Sequence, residues 1–122
     1  MGFYGDVRWE TLLGAASNMT GTTVLTAVFY MGGASDASLQ IVWTGTPNGS
    51  FVVEVSNTGK VVAAADDEWE DLGLGLANAV GAAGSHFVNV SNSGARWVRV
   101  RYTNTSSTGT LTVYAVKKGD KR

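Results

Sequence analysis

The sequence predicts an all-β protein: an antiparallel β-sandwich of one domain, with a jelly-roll arrangement as one candidate. Glycine, serine, threonine and asparagine make up 46 of the 122 residues, and there is one proline. The apolar residues come in short alternating runs between these turn-forming residues, and strong helix formers are scarce. This composition is typical of many short strands joined by tight turns.

The clearest strand lies at residues 95–103, where side chains alternate with a period of two. Its apolar face contains Val98, Val100 and Tyr102, and its other face contains Trp97, Arg99 and Arg101. A polar loop over 103–109 precedes a second alternating run, so we expect 95–117 to form a β-hairpin near the centre of a sheet. The face with the two arginines needs water or a partner.

Further strands are predicted on both sides of a turn at Pro47. Residues 22–31 form the first of them, with apolar side chains on both faces, and residues 39–56 read as a second hairpin in which Trp43 points inward. Residues 73–84 are rich in glycine and alanine and are expected to form a long loop. A strand at 86–90 follows this loop.

The two ends of the chain lack clear strand patterns. Residues 1–21 are expected to form an N-terminal arm or short helix, residues 22–117 the β-sandwich, and residues 118–122 a polar tail. Because large aromatic side chains at a terminus need a surface to pack on, the arm is expected to contact its own domain or a neighbouring subunit. Its aromatic residues are Phe3, Tyr4 and Trp9.

The residue composition and the net charge argue against several classes of function. The chain has no cysteine, which removes disulfides and thiolate metal sites, and no apolar run long enough to cross a membrane. The N-terminus lacks the basic and apolar regions of a signal peptide. A net charge of −1 argues against a nucleic-acid binder that works by general electrostatics.

The charge is unevenly distributed. Residues 1–95 carry two basic and nine acidic residues, whereas residues 96–122 carry seven basic residues and one acidic residue. Either the two parts lie side by side and neutralise each other, or they orient the docking of another copy or a partner.

Few residues could carry chemistry, so we expect neither an enzyme nor a bound cofactor or metal. The only histidine, His86, lies in a predicted strand without a nucleophile motif nearby, and is expected to be structural. The acidic run 66–71 could offer oxygen ligands to calcium, but it lacks the spacing of a calcium loop. A solvated loop or a charged rim at a subunit contact is the preferred interpretation.

Trp69 and Trp97 support an alternative, carbohydrate binding, because exposed aromatic rings stack on sugars. The same two residues, with Arg99 and Arg101, belong to the types enriched at protein–protein contacts. Single-stranded nucleic acid is a weaker option, because Tyr102 faces away from the arginines. The candidate interface residues are Phe3, Tyr4, Trp9, Trp69, Trp97, Arg99 and Arg101.

Four stretches together resemble small β-sandwich proteins encoded among the structural genes of tailed bacteriophages. They are QIVWTGTPNGSFVVEVSN (40–57), WEDL (69–72), RWVRVRYT (96–103) and GTLTVY (109–114). The resemblance extends over residues 38–117, consists mostly of strand and turn patterns, and brings no catalytic residues with it.

The resemblance implies a virion component assembled in the host cytoplasm. The expected role is a capsid decoration or cement protein that binds and stabilises the assembled head. A small tail or head–tail component is the alternative within the same class. The expected partners are the major capsid protein or other virion subunits and further copies of the chain, as a dimer or trimer.

Overall fold

The computed structural model describes residues 5–19, 23–31, 34–58, 69–91, 95–106 and 109–120. This part of the chain contains strands and loops and no helix, and therefore no helix that could cross a membrane. The strands are β1 (Gly5–Asn18), β2 (Thr23–Leu25), β3 (Phe29–Tyr30), β4 (Ala34–Gly45), β5 (Asn48–Ser56), β6 (Glu70–Asp71), β7 (Ala79–Val80), β8 (Gly84–Ser91), β9 (Trp97–Ser106) and β10 (Gly109–Asp120).

The strands form two antiparallel sheets, which confirms the predicted all-β sandwich. The first sheet has the order β1-β10-β4-β8, and the second has the order β2-β9-β5-β6, with β3 also pairing with β9 and β7 with β5. β2 and β3 lie along the same neighbour, β9, and can be counted as one interrupted strand. The same holds for β6 and β7 along β5, so the described part of the sandwich has eight strands. The ladders β1·β10, β2/β3·β9, β4·β8 and β5·β6/β7 then nest within one another. This is the jelly-roll arrangement.

The core lies between the two sheets and follows the predicted alternation. Val98, Val100 and Tyr102 of β9 are fully buried, and so are Leu111, Val113 and Ala115 of β10. The inward residues of β4 are buried as well, including Trp43, whose Nε1 donates a hydrogen bond to the carbonyl oxygen of Ala82 at 2.9 Å.

Both predicted hairpins are wrong, because consecutive strands belong to different sheets. β9 pairs with β5 and β2, whereas β10 pairs with β1 and β4; β4 and β5 are likewise in separate sheets. The central position predicted for β9 and β10 is correct. Alternation identifies a strand and its buried face but not its neighbour, and a short loop can join strands across the sandwich as well as within one sheet.

The N-terminal arm or short helix predicted within residues 1–21 was not expected to join a sheet, and this is wrong over the described part, where Gly5–Asn18 forms an edge strand along β10. Register shifts occur between Thr11 and Leu13 and between Leu13 and Ser17. Each such irregularity changes the phase of a strand. The apolar residues therefore do not keep a period of two, and their spacing resembles one turn of helix.

The predicted strand at 22–31 is interrupted at residues 26–28. There the buried Thr26 donates its backbone N–H to the carbonyl oxygen of Val100 at 3.0 Å, and its Oγ1 accepts a hydrogen bond from the N–H of Val100 at 2.9 Å. After the interruption, Phe29 and Met31 enter the core while Ala27 is exposed. At the other end of the chain, β10 extends to Asp120, so the polar tail was predicted to begin too early.

Candidate functional site

The two arginines on the outer face of β9, Arg99 and Arg101, form ion pairs with a carboxylate of the same chain. Arg99 is fully buried, and its Nε lies 2.8 Å from Oε1 of Glu54; the Nε of Arg101 lies 3.0 Å from Oε2 of the same carboxylate. The register places Glu54 of β5 directly opposite Arg99. The partner that the two arginines require is therefore internal, and Arg99, a candidate interface residue from the sequence, does not lie at the surface.

Trp69 covers the buried guanidinium. Its side chain is 5% exposed, and the Cζ of Arg99 lies 4.3 Å from the centre of its ring. Trp69 directly precedes β6, which pairs with β5 at Glu54 and Val55 and so brings the ring over the second sheet. The predicted exposure of Trp69 in a solvated acidic loop is wrong for this reason.

Arg101 and Trp97 lie nearer the surface. The Arg101 side chain is 19% exposed, and Trp97 is half-buried. The ring of Trp97 packs against Tyr30 with 4.6 Å between the centroids, and the Nζ of Lys117 donates a hydrogen bond to the carbonyl oxygen of Tyr30 at 2.7 Å. Trp97 is thus part of a small aromatic group at the edge of the second sheet.

The aromatic arm is only partly within the described residues. Phe3 and Tyr4 lie outside them, as do residues 66–68 of the acidic run. Trp9 belongs to β1, where the backbone register places it opposite Val116 of β10. The contact that was predicted between these aromatic residues and a neighbouring subunit stays a prediction.

His86 has a structural environment. Its Nε2 lies 2.7 Å from the carbonyl oxygen of Ala77. Because a carbonyl oxygen can only accept a hydrogen bond, Nε2 carries the proton and donates it. Its ring packs 5.2 Å from the ring of Trp43, measured between centroids. Among the described residues, no group of three or more histidine, aspartate or glutamate side chains could hold a metal ion.

Two surfaces that the sequence did not single out contain exposed apolar side chains. The first is a shallow depression on the outer face of the first sheet, which we call the aromatic trough, with a volume of about 280 Å³. Phe87 of β8 is an exposed member of it, with 68% of its surface accessible. The described residues that line it are Ser38, Gln40, Phe87, Tyr114 and Val116.

The second surface is the segment over residues 72–83, which consists of loops on both sides of β7 and which we call the edge loop because it runs beside β5. Val80 is 77% exposed and Leu74 is 38% exposed. Gly73, Gly75 and Gly81 have φ angles of 80°, 66° and 81°, a region that favours glycine. The predicted loop is confirmed over 73–78 and 81–83, whereas residues 79–80 form β7, and the glycines allow the turns that leave Leu74 and Val80 at the surface.

The sequence contains a pattern from which the exposure of Phe87 could be inferred. In β8, Phe87 occupies the face opposite to the buried Val88 and Val90, so its exposure follows from the alternation. No comparable signal marks Val80, because a glycine-rich loop has no periodicity from which exposure could be inferred.

Comparison with known proteins gives a likeness of fold. No protein-family model matches the chain, and no curated protein matches its sequence. Among solved structures, the SPBc2 prophage-derived protein YomS superposes with a TM-score of 0.57 and 14% sequence identity, over 98% of both chains.

Two further solved structures superpose less well. A chain of the cyanophage Pam1 capsid asymmetric unit gives a TM-score of 0.44 at 16% identity, over 98% of this chain and 89% of that one. Latent PorU from Porphyromonas gingivalis gives 0.40 at 10% identity, with 98% of this chain matching 13% of that one. At these identities the comparisons establish the fold alone, which is shared with a prophage-derived protein over the full length of both chains.

Proposed function

We propose that this chain is a non-enzymatic structural protein of a phage particle that works by binding other virion subunits. The observation that carries the proposal is the end-to-end likeness of fold to the prophage-derived protein YomS, which leaves almost no part of either chain unmatched. Jelly rolls are common among viral capsid domains, although the fold by itself does not determine a function.

The environment of the described titratable side chains supports a scaffold rather than a catalyst. The only histidine is hydrogen-bonded to a backbone carbonyl, and the carboxylate of Glu54 is held between two arginines. Groups that work as acids or bases need access to a substrate. Here the charged groups at the centre of the second sheet stabilise a rigid body instead.

The edge loop is the surface that we assign to subunit contact. Leu74 and Val80 of the edge loop expose apolar side chains, and the turns on either side of them are made at glycines with positive φ angles. Burying such side chains against another subunit is favourable by about 25 cal/mol for each Å² of apolar surface. Many copies on one particle would add their individually weak contacts, as multivalent binding does.

The finer role that we propose is a capsid decoration or cement protein, acting as a dimer or trimer on the assembled head. The experiment mixes the purified chain with heads and tails of the encoding phage, separated beforehand, and measures co-sedimentation. Light scattering gives the solution mass of the chain. Binding to heads supports the cement role, binding to tails alone supports a tail component, and binding to neither overturns the proposed function.

Matched variants locate the contact. Val80→Asp places a charge in the apolar contact and is expected to weaken binding by about tenfold or more. Phe87→Ala alters another exposed apolar side chain, on the other sheet, and is expected to bind as the unmodified chain does. If Val80→Asp binds normally while circular dichroism shows an unchanged fold, the edge loop is not the contact surface.

A further inference from the structure

The aromatic trough has an ordered lining that comes from the strand register. Phe87 of β8, Gln40 of β4 and Tyr114 of β10 are direct neighbours across three strands and form one row on the outer face. Ser38 and Val116 belong to the next row along the same strands. Because adjacent strands are about 4.8 Å apart, the two aromatic residues stand roughly 10 Å apart with the amide of Gln40 between them.

The trough continues along the sheet into a second depression of about 230 Å³. Ser38 and Val116 line both, so the two depressions adjoin. The second adds the amide of Asn89, which is exposed, and the carboxylate of Asp36 at its far end. The combined surface is elongated and shallow, with room for a chain of linked small rings rather than for one compact ligand.

Apart from the carboxylate of Asp36 at its far end, the lining combines aromatic carbon with neutral hydrogen-bonding groups. The face of an aromatic ring carries negative charge density and attracts weakly positive C–H groups. An amide such as that of Gln40 both donates and accepts hydrogen bonds, and so does the hydroxyl of Ser38. A sugar ring presents this complement, because it has a face of C–H bonds and a rim of hydroxyl groups.

Other ligand classes fit the lining less well. The described side chains that line the aromatic trough include no charged residue, whereas a nucleic-acid strand requires basic groups along its backbone. The cores of protein interfaces are depleted in serine, yet Ser38 lies at the junction of the two depressions. The chemistry therefore favours a neutral, hydroxyl-rich ligand.

We propose that the aromatic trough binds neutral saccharides. The ring of Phe87 stacks on the C–H face of one sugar unit, and Gln40 and Ser38 hydrogen-bond its hydroxyl groups. Asn89 reaches the neighbouring unit in the second depression. This site is distinct from the edge loop and does not depend on the proposed function. The sequence indicated carbohydrate binding at Trp69 and Trp97 instead. We do not assign the site to them, because Trp69 is buried and Trp97 packs against Tyr30.

The test begins with the intact chain on an array of neutral glycans. It continues with two-dimensional NMR titration using cellotetraose, maltotetraose and tetra-N-acetylchitotetraose. At least one neutral glycan is expected to bind with a dissociation constant of about 1 mM or tighter, as a shallow open site allows. The shifted backbone amides should cluster at residues 36–40, 85–89 and 114–116.

Variants separate this site from others. Phe87→Ala is expected to weaken binding by about tenfold, and Gln40→Ala by a smaller factor. Tyr30→Ala removes an exposed aromatic side chain elsewhere and is expected to leave binding unchanged. The proposal is overturned if no neutral glycan shifts the trough amides, or if Phe87→Ala binds as well as the unmodified chain. It is also overturned if Phe87→Ala lowers the solution mass while glycans do not bind, which would assign the trough to self-association.

Discussion

The guanidinium of Arg99 lies over the ring of Trp69, with its Cζ 4.3 Å from the ring centre. One residue belongs to β9 and the other directly precedes β6, so the contact joins segments that are distant in sequence. A cation over an aromatic face contributes about 2 kcal/mol when both groups are removed from water. The contact explains how a side chain that is usually solvated is tolerated inside the second sheet.

Replacing Glu54 with alanine should destabilise the fold strongly. The substitution removes the carboxylate that accepts hydrogen bonds from both Arg99 and Arg101, and leaves the buried charge of Arg99 poorly compensated. Breaking a buried ion pair in this way costs about 3 kcal/mol or more. Urea unfolding measures the loss.

The matched control for Glu54 is Arg101→Ala. The Arg101 side chain is 19% exposed and shares the same carboxylate, so its removal should cost clearly less, about 1 kcal/mol. Equal effects of the two substitutions would show that burial of Arg99 does not dominate the energetics of this cluster.

Replacing Thr26 with valine should cost about 1–3 kcal/mol although the side chain keeps its shape. The hydroxyl oxygen accepts the hydrogen bond of the Val100 N–H at 2.9 Å, and both residues are buried. Without the hydroxyl, the N–H of Val100 loses this hydrogen-bond partner at the interruption between β2 and β3. Thermal unfolding is a suitable measurement.

Two controls separate the lost hydrogen bond from general effects of the substitution at Thr26. Thr26→Ser keeps the hydroxyl and should retain most of the stability. Thr103→Val makes the same chemical change at an exposed position and should be nearly neutral. A neutral Thr26→Val would contradict the assigned role of the hydroxyl.

Stability should fall at alkaline pH through Tyr102. Burial raises the pKa of this phenol above its usual value of 10.0, because ionisation would place a charge in the core. Since the folded protein holds the proton more tightly than the unfolded chain does, this contribution is fully present below about pH 10 and is lost as pH rises through the folded pKa.

The measurement compares the unfolding free energy of the unmodified chain with that of Tyr102→Phe across pH 8–11. Below about pH 10, the difference reflects the hydrogen bond from the Tyr102 hydroxyl to Oδ1 of Asn104 at 3.1 Å and should be constant. Above that pH the unmodified chain should lose stability faster than the variant. A difference that stays constant to pH 11 would contradict the assignment.

Local patterns in the sequence predicted which residues of the central strands are buried. The alternation in β9 placed Val98, Val100 and Tyr102 on the core face, and all three are fully buried. The alternation in β4 likewise placed Trp43 inside, where it is buried. These predictions succeed because a pleated strand alternates its side chains regardless of the neighbour with which it pairs.

Long-range pairing could not be predicted in the same way. The burial of Arg99 depends on Glu54 from β5 and on Trp69 beside β6, and no local pattern connects these three positions. The strand character of Gly5–Asn18 was concealed by its register shifts. For the candidate sites, Phe87 could be inferred from alternation, whereas the exposure of Val80 depends on the shape of the edge loop.

The ladder between β1 and β10 has a consequence for synthesis. It pairs Gly5 with Asp120, and β10 is also the strand that connects β1 to β4. While the ribosome is still making β10, the first sheet consists only of β4 and β8, and β1 exposes unpaired backbone groups on both sides. Such groups are available to strands of other newly made chains. Rapid completion of each chain, or a helper that shields β1, would therefore protect the protein from pairing with other nascent copies of itself.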